Sequence, residues 1–128
     1  MDRKKRALIV DDDPVIRRIL TELLAKLDVE TVDVSTLAEA RSELMVGGIY
    51  DVVFLDLHVH TESGFEFLDW AETRTFAFPP EILLMSGSKR SEVEERRLTE
   101  ERYQFLNKED VSKETVAKYL NLLGVIQT

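Results

Sequence analysis

The stretch Ala7-Leu8-Ile9-Val10-Asp11-Asp12-Asp13 places four apolar residues directly before three aspartates. Short apolar runs with branched side chains are typical of buried β-strands, so this strand is expected to end where the charges begin. The pattern returns where Val52-Val53-Phe54-Leu55 precedes Asp56 and where Phe105-Leu106-Asn107 precedes Lys108. An open parallel α/β sheet gathers its functional residues just past the carboxyl ends of its strands. The sequence therefore predicts one site built from these three distant segments.

Five apolar runs of strand type alternate with segments of helical period. Such alternation, with short connections, predicts parallel strands, right-handed crossovers and helices on both faces of the sheet. We therefore expect an α/β fold, a doubly wound sandwich of five strand–helix units. The predicted strands are Ala7 to Val10, Thr31 to Val34, Val52 to Leu55, Ile82 to Met85 and Gln104 to Leu106.

Capping signals place the starts of the helices. Asp13-Pro14 combines an N-cap residue with a proline at the first helical position, and Thr36 to Glu39 is a capping box. That second helix is expected to end near Gly47-Gly48. The remaining helices are predicted from Gly64 to Glu72, from Ser91 and from about Ser112.

Length and composition predict one globular domain over residues 1–128, with a core from about residue 7 to residue 123. The chain is 44% hydrophobic and 33% charged, and no apolar run approaches the roughly 20 residues that cross a bilayer. The basic start, Met1 to Arg6, is followed by only four apolar residues, so it is not an export signal. With no cysteine in the chain, we expect a cytoplasmic protein without disulfides or membrane insertion.

A net charge of −8 argues against direct binding to nucleic acid or to anionic membranes. The basic segment Met1 to Arg6 is the local exception. We interpret it as a solvated, partly disordered start that offsets acidic charge at the strand edge.

The acidic residues predict phosphoryl chemistry if the sheet brings them together. Asp11, Asp12 and Asp56 would repel one another, and Mg²⁺ suits such an all-oxygen site. A carboxylate can itself accept a phosphoryl group when a metal and a fixed cation, here Lys108, neutralise the transferred oxygens. Ser86, after the fourth strand, could donate a hydrogen bond to a phosphoryl oxygen. Taken alone, the aspartates could equally be an N-cap cluster favoured by the helix dipole.

At this point the chain resembles a response-regulator receiver domain of two-component signal transduction. The resemblance extends from Leu8 to about Leu123 and rests on four motifs in a fixed order. It implies a flavodoxin-like fold with strand order 2-1-3-4-5. The motifs are Leu8 to Asp13, Asp51 to Leu57 with Gly64 after it, Leu83 to Gly87, and Phe105 to Lys108.

The resemblance implies roles for the acidic residues. Asp56 would be the residue phosphorylated from a histidine. Asp12 and Asp56 would bind Mg²⁺ through their carboxylates, His58 through its backbone carbonyl, and Asp11 through water.

The resemblance also implies how the site responds to phosphorylation. Lys108 would pair with the phosphoryl group, Ser86 would move its hydroxyl toward it, and the burial of Phe105 would report the active state. His58 and Ser88 would tune how easily water reaches the phosphoryl group. We expect the bulky imidazole of His58 to alter the rate of autodephosphorylation.

Three features depart from the usual pattern of this family. Val59-His60 stand where a Met-Pro pair is common, and Glu109 replaces a frequent proline after Lys108. The fourth helix, from Glu92, is unusually charged. Because that helix belongs to the family's signalling face, an atypical partner surface is expected.

The predicted function is a signalling switch rather than an enzyme. The switch would accept a phosphoryl group on Asp56 from a sensor histidine kinase or a histidine phosphotransfer protein. It would then alter the face formed by helix 4, strand 5 and helix 5 to bind an unknown downstream protein. We expect a stand-alone regulator, a phosphorelay member or an excised receiver, either monomeric or a phosphorylation-dependent dimer.

Two other functions are compatible with parts of the sequence. A pseudo-receiver would use the same fold as a protein-interaction module without phosphorylation. His58-Val59-His60 could open a metal-dependent hydrolase site, although the chain has only two histidines and no cysteine. A phosphatase of the haloacid dehalogenase type needs an aspartate two residues after the nucleophile, where this chain has His58.

Overall fold

The computed structural model describes residues 3–87, 89–100 and 103–127. A five-stranded parallel sheet forms its centre, with strand order β2-β1-β3-β4-β5. This confirms the predicted α/β fold and strand order. The strands are β1 (Lys5–Val10), β2 (Val29–Val34), β3 (Val52–Asp56), β4 (Glu81–Ser86) and β5 (Gln104–Asn107).

Five helices connect and cover the strands. Asp13 caps α1 by accepting the Val15 N–H at 2.9 Å, and Thr36 caps α2 by accepting the Glu39 N–H at 3.1 Å. Both predicted caps are therefore confirmed. The helices are α1 (Pro14–Lys26), α2 (Leu37–Val46), α3 (Gly64–Glu72), α4 (Glu92–Glu100) and α5 (Lys113–Leu122).

Alternate residues of the central strands face two separate apolar clusters. Leu8 and Val10 of β1 pack with α2 and α3, whereas Ala7 and Ile9 pack with α1 and α5. Strand β3 is buried along its whole length because it lies between β1 and β4 with helices on both faces. The sheet is thus a rigid frame that fixes where its carboxyl ends lie.

The strands extend one or two residues beyond most of the predicted limits. Strand β1 already pairs with β2 at Lys5 and Arg6, whose side chains are too polar to signal a buried strand. The Arg3 guanidinium also binds the Asp51 carboxylate through two hydrogen bonds of 2.8 Å. The prediction of partial disorder was therefore wrong for Lys5 and Arg6, which lie in β1, whereas residues 3–5 are exposed to solvent as predicted. Met1 and Asp2 lie outside the described residues.

A small hairpin follows β3 and was not predicted. Residues His58–Val59 pair antiparallel with Glu62–Ser63, and His60 at the turn has a φ of 56°. The buried Val59 anchors this hairpin, while the side chains of His58 and His60 are exposed. This conformation occupies the place where the family usually has a Met-Pro pair.

Candidate functional site

The three predicted aspartates meet at the carboxyl edge of the sheet. Strands β1 and β3 are neighbours, with Val10 opposite Leu55, so the next residues, Asp11 and Asp56, lie side by side. Carboxylate oxygens of Asp11, Asp12 and Asp56 all lie within 4.8 Å of one another. Asp11 is fully buried and Asp56 is 3% exposed, whereas Asp12 is half-buried.

Local hydrogen bonds hold Asp11 at the end of β1. Its Oδ1 accepts the backbone N–H of Asp13 at 2.9 Å, and its backbone carbonyl accepts Arg17 Nη1 at 2.8 Å. The run of aspartates therefore has two roles, because Asp13 caps α1 while Asp11 points into the site. The N-cap prediction is confirmed for Asp13, and Asp11 lies with Asp12 and Asp56 in the acidic cluster.

The hairpin after β3 supplies backbone donors to the other two aspartates. The His58 N–H donates to Asp56 Oδ1 at 3.3 Å, and the His60 N–H donates to Asp12 Oδ2 at 2.8 Å. The second contact depends on the left-handed turn at His60, which no local sequence pattern predicted. It links the loop after β3 to the loop after β1.

Lys108 is placed between two of the carboxylates. It begins a short 3₁₀ helix, Lys108–Asp110, directly after β5. Its Nζ lies 2.7 Å from Asp11 Oδ2 and 3.1 Å from Asp56 Oδ2. Although burial lowers the pKa of this amine, its close ion pair with Asp11 and the charge of Asp56 outweigh burial and raise the pKa above its ordinary value. Lys108 is therefore a fixed cation at neutral pH.

The environment of Asp56 disfavours its charged form. Burial, followed by the nearby charge of Asp11, raises the pKa of Asp56 to about 6. Lys108 and the His58 N–H oppose this shift and only partly offset it. A second cation beside the carboxylates would stabilise the ionised, nucleophilic form.

The donor set of the site fits Mg²⁺. Three carboxylates face one ammonium group, which leaves an excess of negative charge in a mostly buried space. Asp11 Oδ2 is a buried side-chain oxygen without a well-directed hydrogen bond, since Lys108 approaches it closely but outside hydrogen-bond geometry. An oxygen-only set with a spare buried acceptor is the ligand chemistry of a hard divalent cation.

Ser86 and Phe105 lie on β4 and β5, the two strands that follow β3 in the sheet. Ser86 ends β4 and is fully buried, and its hydroxyl donates to the Gly87 carbonyl at 3.1 Å. Phe105 on β5 is half-buried, and the Arg90 guanidinium lies 4.5 Å from the centre of its ring. Arg90 was not among the predicted site residues, and no motif in the sequence singles it out.

Of the two residues predicted to tune water access, the structure places His58 on the α4 side of the site. His58 Nε2 lies 2.5 Å from Glu94 Oε2, while Ser88 lies outside the described residues. Glu94 was also missed as a residue near the site. The sequence predicted a helix beginning at Ser91, but not the contact of Glu94 with His58.

The two histidines do not form a common metal site. His58 pairs with Glu94, whereas His60 Nδ1 lies 3.8 Å from Asp12 Oδ2. Within the described part of the chain, the one group of three suitable ligands that converge is Asp11, Asp12 and Asp56. The geometry therefore favours a magnesium site at the aspartates over a metal-dependent hydrolase site at the two histidines.

Comparisons with known proteins agree with this geometry. A family model described as the response regulator receiver domain matches residues 7–120. The sensory transduction protein LytR of Staphylococcus saprophyticus is 39% identical over 62 residues, which are 48% of this chain and 24% of LytR. The response regulator protein PilR of Pseudomonas aeruginosa is 29% identical over 85 residues, which are 66% of this chain and 19% of PilR.

Solved structures show the same fold. The bacteriophytochrome response regulator AtBRR aligns with a TM-score of 0.80 and 25% identity, covering 99% of this chain and 97% of that one. The Vibrio cholerae chemotaxis protein CheY4 aligns with a TM-score of 0.78 and 22% identity, covering 94% and 99% of the two chains. The alignment covers nearly the whole length of these two solved structures. It covers only about a fifth to a quarter of the length of LytR and PilR.

Proposed function

The chain belongs to the response-regulator receiver family, and from this premise we propose that it is a phosphorylation-controlled switch that accepts a phosphoryl group on Asp56. The arrangement of Lys108 carries this proposal. One half-buried ammonium group contacts both Asp11 and Asp56, at the position where a phosphoryl group on Asp56 would bring further negative charge. An ion pair that served only to stabilise the fold would need one carboxylate partner, not two buried carboxylates side by side.

The transfer step uses groups that the chain itself provides. An Asp56 carboxylate oxygen attacks the phosphorus of a phosphohistidine, the new O–P bond forms, and the P–N bond breaks with its electrons returning to the imidazole. Lys108 stays close to the charge that builds on the transferred oxygens. Bound Mg²⁺, held by Asp11, Asp12 and Asp56, would supply further charge neutralisation.

Hydrolysis would return the switch to its resting state. Water attacks the phosphorus of the aspartyl phosphate, the O–P bond to Asp56 breaks, and inorganic phosphate leaves. The chemistry is thus confined to the protein's own side chain, so we propose a regulator rather than an enzyme that turns over a separate substrate.

The response to phosphorylation would begin at Ser86 and Phe105. The Ser86 hydroxyl bonds only the adjacent Gly87 carbonyl among its described contacts, so rotation toward a phosphoryl oxygen would exchange one hydrogen bond for another. Phe105 lies on the strand next to β4, where that movement would change its packing. The surface of α4, β5 and α5 would then present a different face to a partner protein.

The donor would be a sensor histidine kinase or a histidine phosphotransfer protein, in the cytoplasm. The downstream partner would be a protein, reached without direct nucleic-acid binding, by a monomer or a phosphorylation-dependent dimer. Among the described helices, none combines the length and apolar character needed to cross a bilayer.

Intact-mass analysis tests the proposal directly. The protein is incubated with acetyl phosphate and Mg²⁺, beside a chelated sample and the variant Asp56→Asn. We expect one added phosphoryl group, absent from both controls. The control Asp13→Asn, which keeps the helix cap, should be phosphorylated like the wild type.

Failure to form the adduct would contradict the proposal if beryllofluoride, a stable mimic of the aspartyl phosphate, also failed to bind. That pair of results would instead support a phosphorylation-independent interaction module. Beryllofluoride binding without a detectable adduct would indicate a phosphoryl group that is lost within the time of the experiment.

A further inference from the structure

The first turn of α4 is connected to the loop after Asp56 by a continuous chain of polar contacts. The His58 N–H donates to Asp56 Oδ1, and the imidazole of the same residue lies 2.5 Å from Glu94 Oε2. The other oxygen of Glu94 accepts the Ser91 N–H at 2.8 Å, while Ser91 Oγ accepts the Glu94 N–H at 3.2 Å. Glu94 therefore caps α4 with one oxygen and holds His58 with the other.

The position of this contact relates it to the site. His58 follows β3, whereas Glu94 belongs to the helix that follows β4, and β3 and β4 are neighbours in the sheet. Asp56 and Ser86 end these same two strands. The contact thus joins the segment that follows Asp56 to the segment that follows Ser86.

Glu94 is held closely in this position. Its side chain is 17% exposed, compared with 54% for His58. Although burial raises the pKa of Glu94, its hydrogen bonds with Ser91 and the nearby His58 outweigh burial and lower the pKa. The carboxylate is therefore ionised at neutral pH and is an acceptor for both neighbours.

The packing of α4 explains why one polar contact can affect the position of this helix. None of the helix residues Glu92–Glu100 is buried, and Leu98 is the one that packs partly against the core. The other described anchors are polar or cation–π contacts, in which Arg97 pairs with Asp69 and lies over the Phe65 ring. A helix held in this way can move at a smaller free-energy cost than one with a buried apolar stripe.

We propose that Glu94 is a positioning residue for His58, and that their contact is a tether coupling the first turn of α4 to the loop after Asp56. The tether is a property of the resting structure and does not require phosphorylation. Its effect on phosphorylation at Asp56 rests on the proposed function. Coupling between two sites is reciprocal, so each end of the tether affects the other. A change at Asp56 that moves the His58 backbone would therefore be transmitted to α4 through the imidazole.

The first arm of the test measures hydrogen exchange by NMR in the unphosphorylated, metal-free protein. The informative amides are Ser91, bonded to Glu94, and Glu95, bonded to the Ser91 carbonyl. His58→Ala should speed their exchange by roughly two- to fivefold, the size expected for loss of a partly exposed polar contact. His60→Asn is the matched control, since it removes the imidazole that pairs with Asp12 and tolerates the left-handed turn.

The second arm measures beryllofluoride affinity in a double-mutant cycle of His58→Ala and Glu94→Gln. Glutamine can still accept the Ser91 N–H but lacks the charge that holds His58. Each single variant should bind roughly two- to fivefold more weakly, because the loop donor to Asp56 is less well fixed. The double variant should bind no more weakly than either single variant.

The outcomes separate this inference from the proposed function. Unchanged exchange of Ser91 and Glu95 in His58→Ala, with unchanged exchange at Leu8 as the check on folding, would overturn the tether. So would independent, multiplicative losses in the beryllofluoride cycle. A wild-type protein that neither forms the phosphoryl adduct nor binds beryllofluoride would instead refute the proposed function, and the exchange arm would still decide whether the tether exists.

Discussion

Asp56 is a buried carboxylate beside a second buried carboxylate, and this arrangement determines how its charge affects stability. Its pKa in the folded protein is about 6, above its ordinary value of 3.8. The folded protein therefore binds this proton more tightly than the unfolded chain does. The contribution of Asp56 to folding is most favourable below pH 4 and is lost as the pH rises through about 6.

We predict that Asp56→Asn stabilises the metal-free protein at pH 8 by up to about 3 kcal/mol, since each pKa unit corresponds to about 1.4 kcal/mol. The gain should shrink as the pH falls from about 6 toward 4, where the wild-type carboxyl is protonated. Urea unfolding with a chelator at several pH values measures this. The exposed variant Asp13→Asn is the control, and a gain in Asp56→Asn that does not vary with pH would contradict the prediction.

Gly64 is the residue at which the loop after Asp56 enters α3, and it has no room for a side chain. A Cβ atom here would lie 2.2 Å from the Asp56 carbonyl oxygen and 2.9 Å from Leu57 Cα, both of them backbone atoms. The Gly64 N–H also donates to the Leu57 carbonyl at 2.7 Å. The sequence identified this glycine as part of a motif, but the close approach of two backbones gives the physical reason.

We predict that Gly64→Ala lowers the free energy of unfolding by about 1–3 kcal/mol, the range for forcing atoms into a packed site. Gly87→Ala is the matched control because a Cβ there meets no atom within 4 Å. Chemical denaturation of both variants compares them. Equal losses in the two variants would mean that the contact with the Asp56 backbone is not the cause.

At the scale of elements, α4 and α5 are fixed to the sheet by different means. Helix α5 buries Val116 and Leu120 completely, whereas no residue of α4 is buried. The charged sequence of α4 predicted an atypical surface, and its docking through arginine and glutamate contacts follows from that composition. Of the two helices in the proposed signalling face, α4 therefore has the weaker apolar anchoring.

A pair of matched leucine truncations tests this difference. Leu120→Ala should lower the free energy of unfolding by about 2–5 kcal/mol, as for a fully buried leucine, whereas Leu98→Ala should cost less than half as much. Urea unfolding of both variants provides the measurement. Equal losses would show that α4 contributes apolar stabilisation comparable to that of α5.

The elements themselves were predicted well wherever their signals are local. The N-caps of α1 and α2 and the limits of α3 follow from residues within one or two turns. The hairpin of His58–Val59 with Glu62–Ser63 was missed, because a pair of two-residue strands carries too little periodicity to detect. The amino end of β1 was missed because its lysine and arginine side chains lie outside the apolar core.

At the scale of the whole molecule, binding at the acidic edge should stabilise the entire fold. A ligand that binds the folded protein but not the unfolded chain raises stability by about 1.4 kcal/mol at a tenfold excess over its Kd. We predict that Mg²⁺ raises the Tm of the wild type by several degrees over a chelated sample. Differential scanning calorimetry with and without the metal measures the shift.

Asp12→Asn is the informative variant for this prediction. It removes one carboxylate while leaving the buried pair of Asp11 and Asp56 and their contacts with Lys108 in place. The Mg²⁺-dependent shift in Tm should shrink strongly in this variant. A shift of the same size as in the wild type would place the metal elsewhere on the acidic surface.

The sequence by itself determined the fold class, the order of the elements and the meeting of Asp11, Asp12, Asp56 and Lys108. Strand and helix periodicity is local, and the carboxyl ends of neighbouring parallel strands must share one edge. Only the tertiary structure determined the hydrogen-bond partner of the Ser86 hydroxyl, the turn at His60 and the contact of His58 with Glu94. These depend on distances between segments that approach one another only after the sheet and helices have packed, and no local pattern encodes such distances.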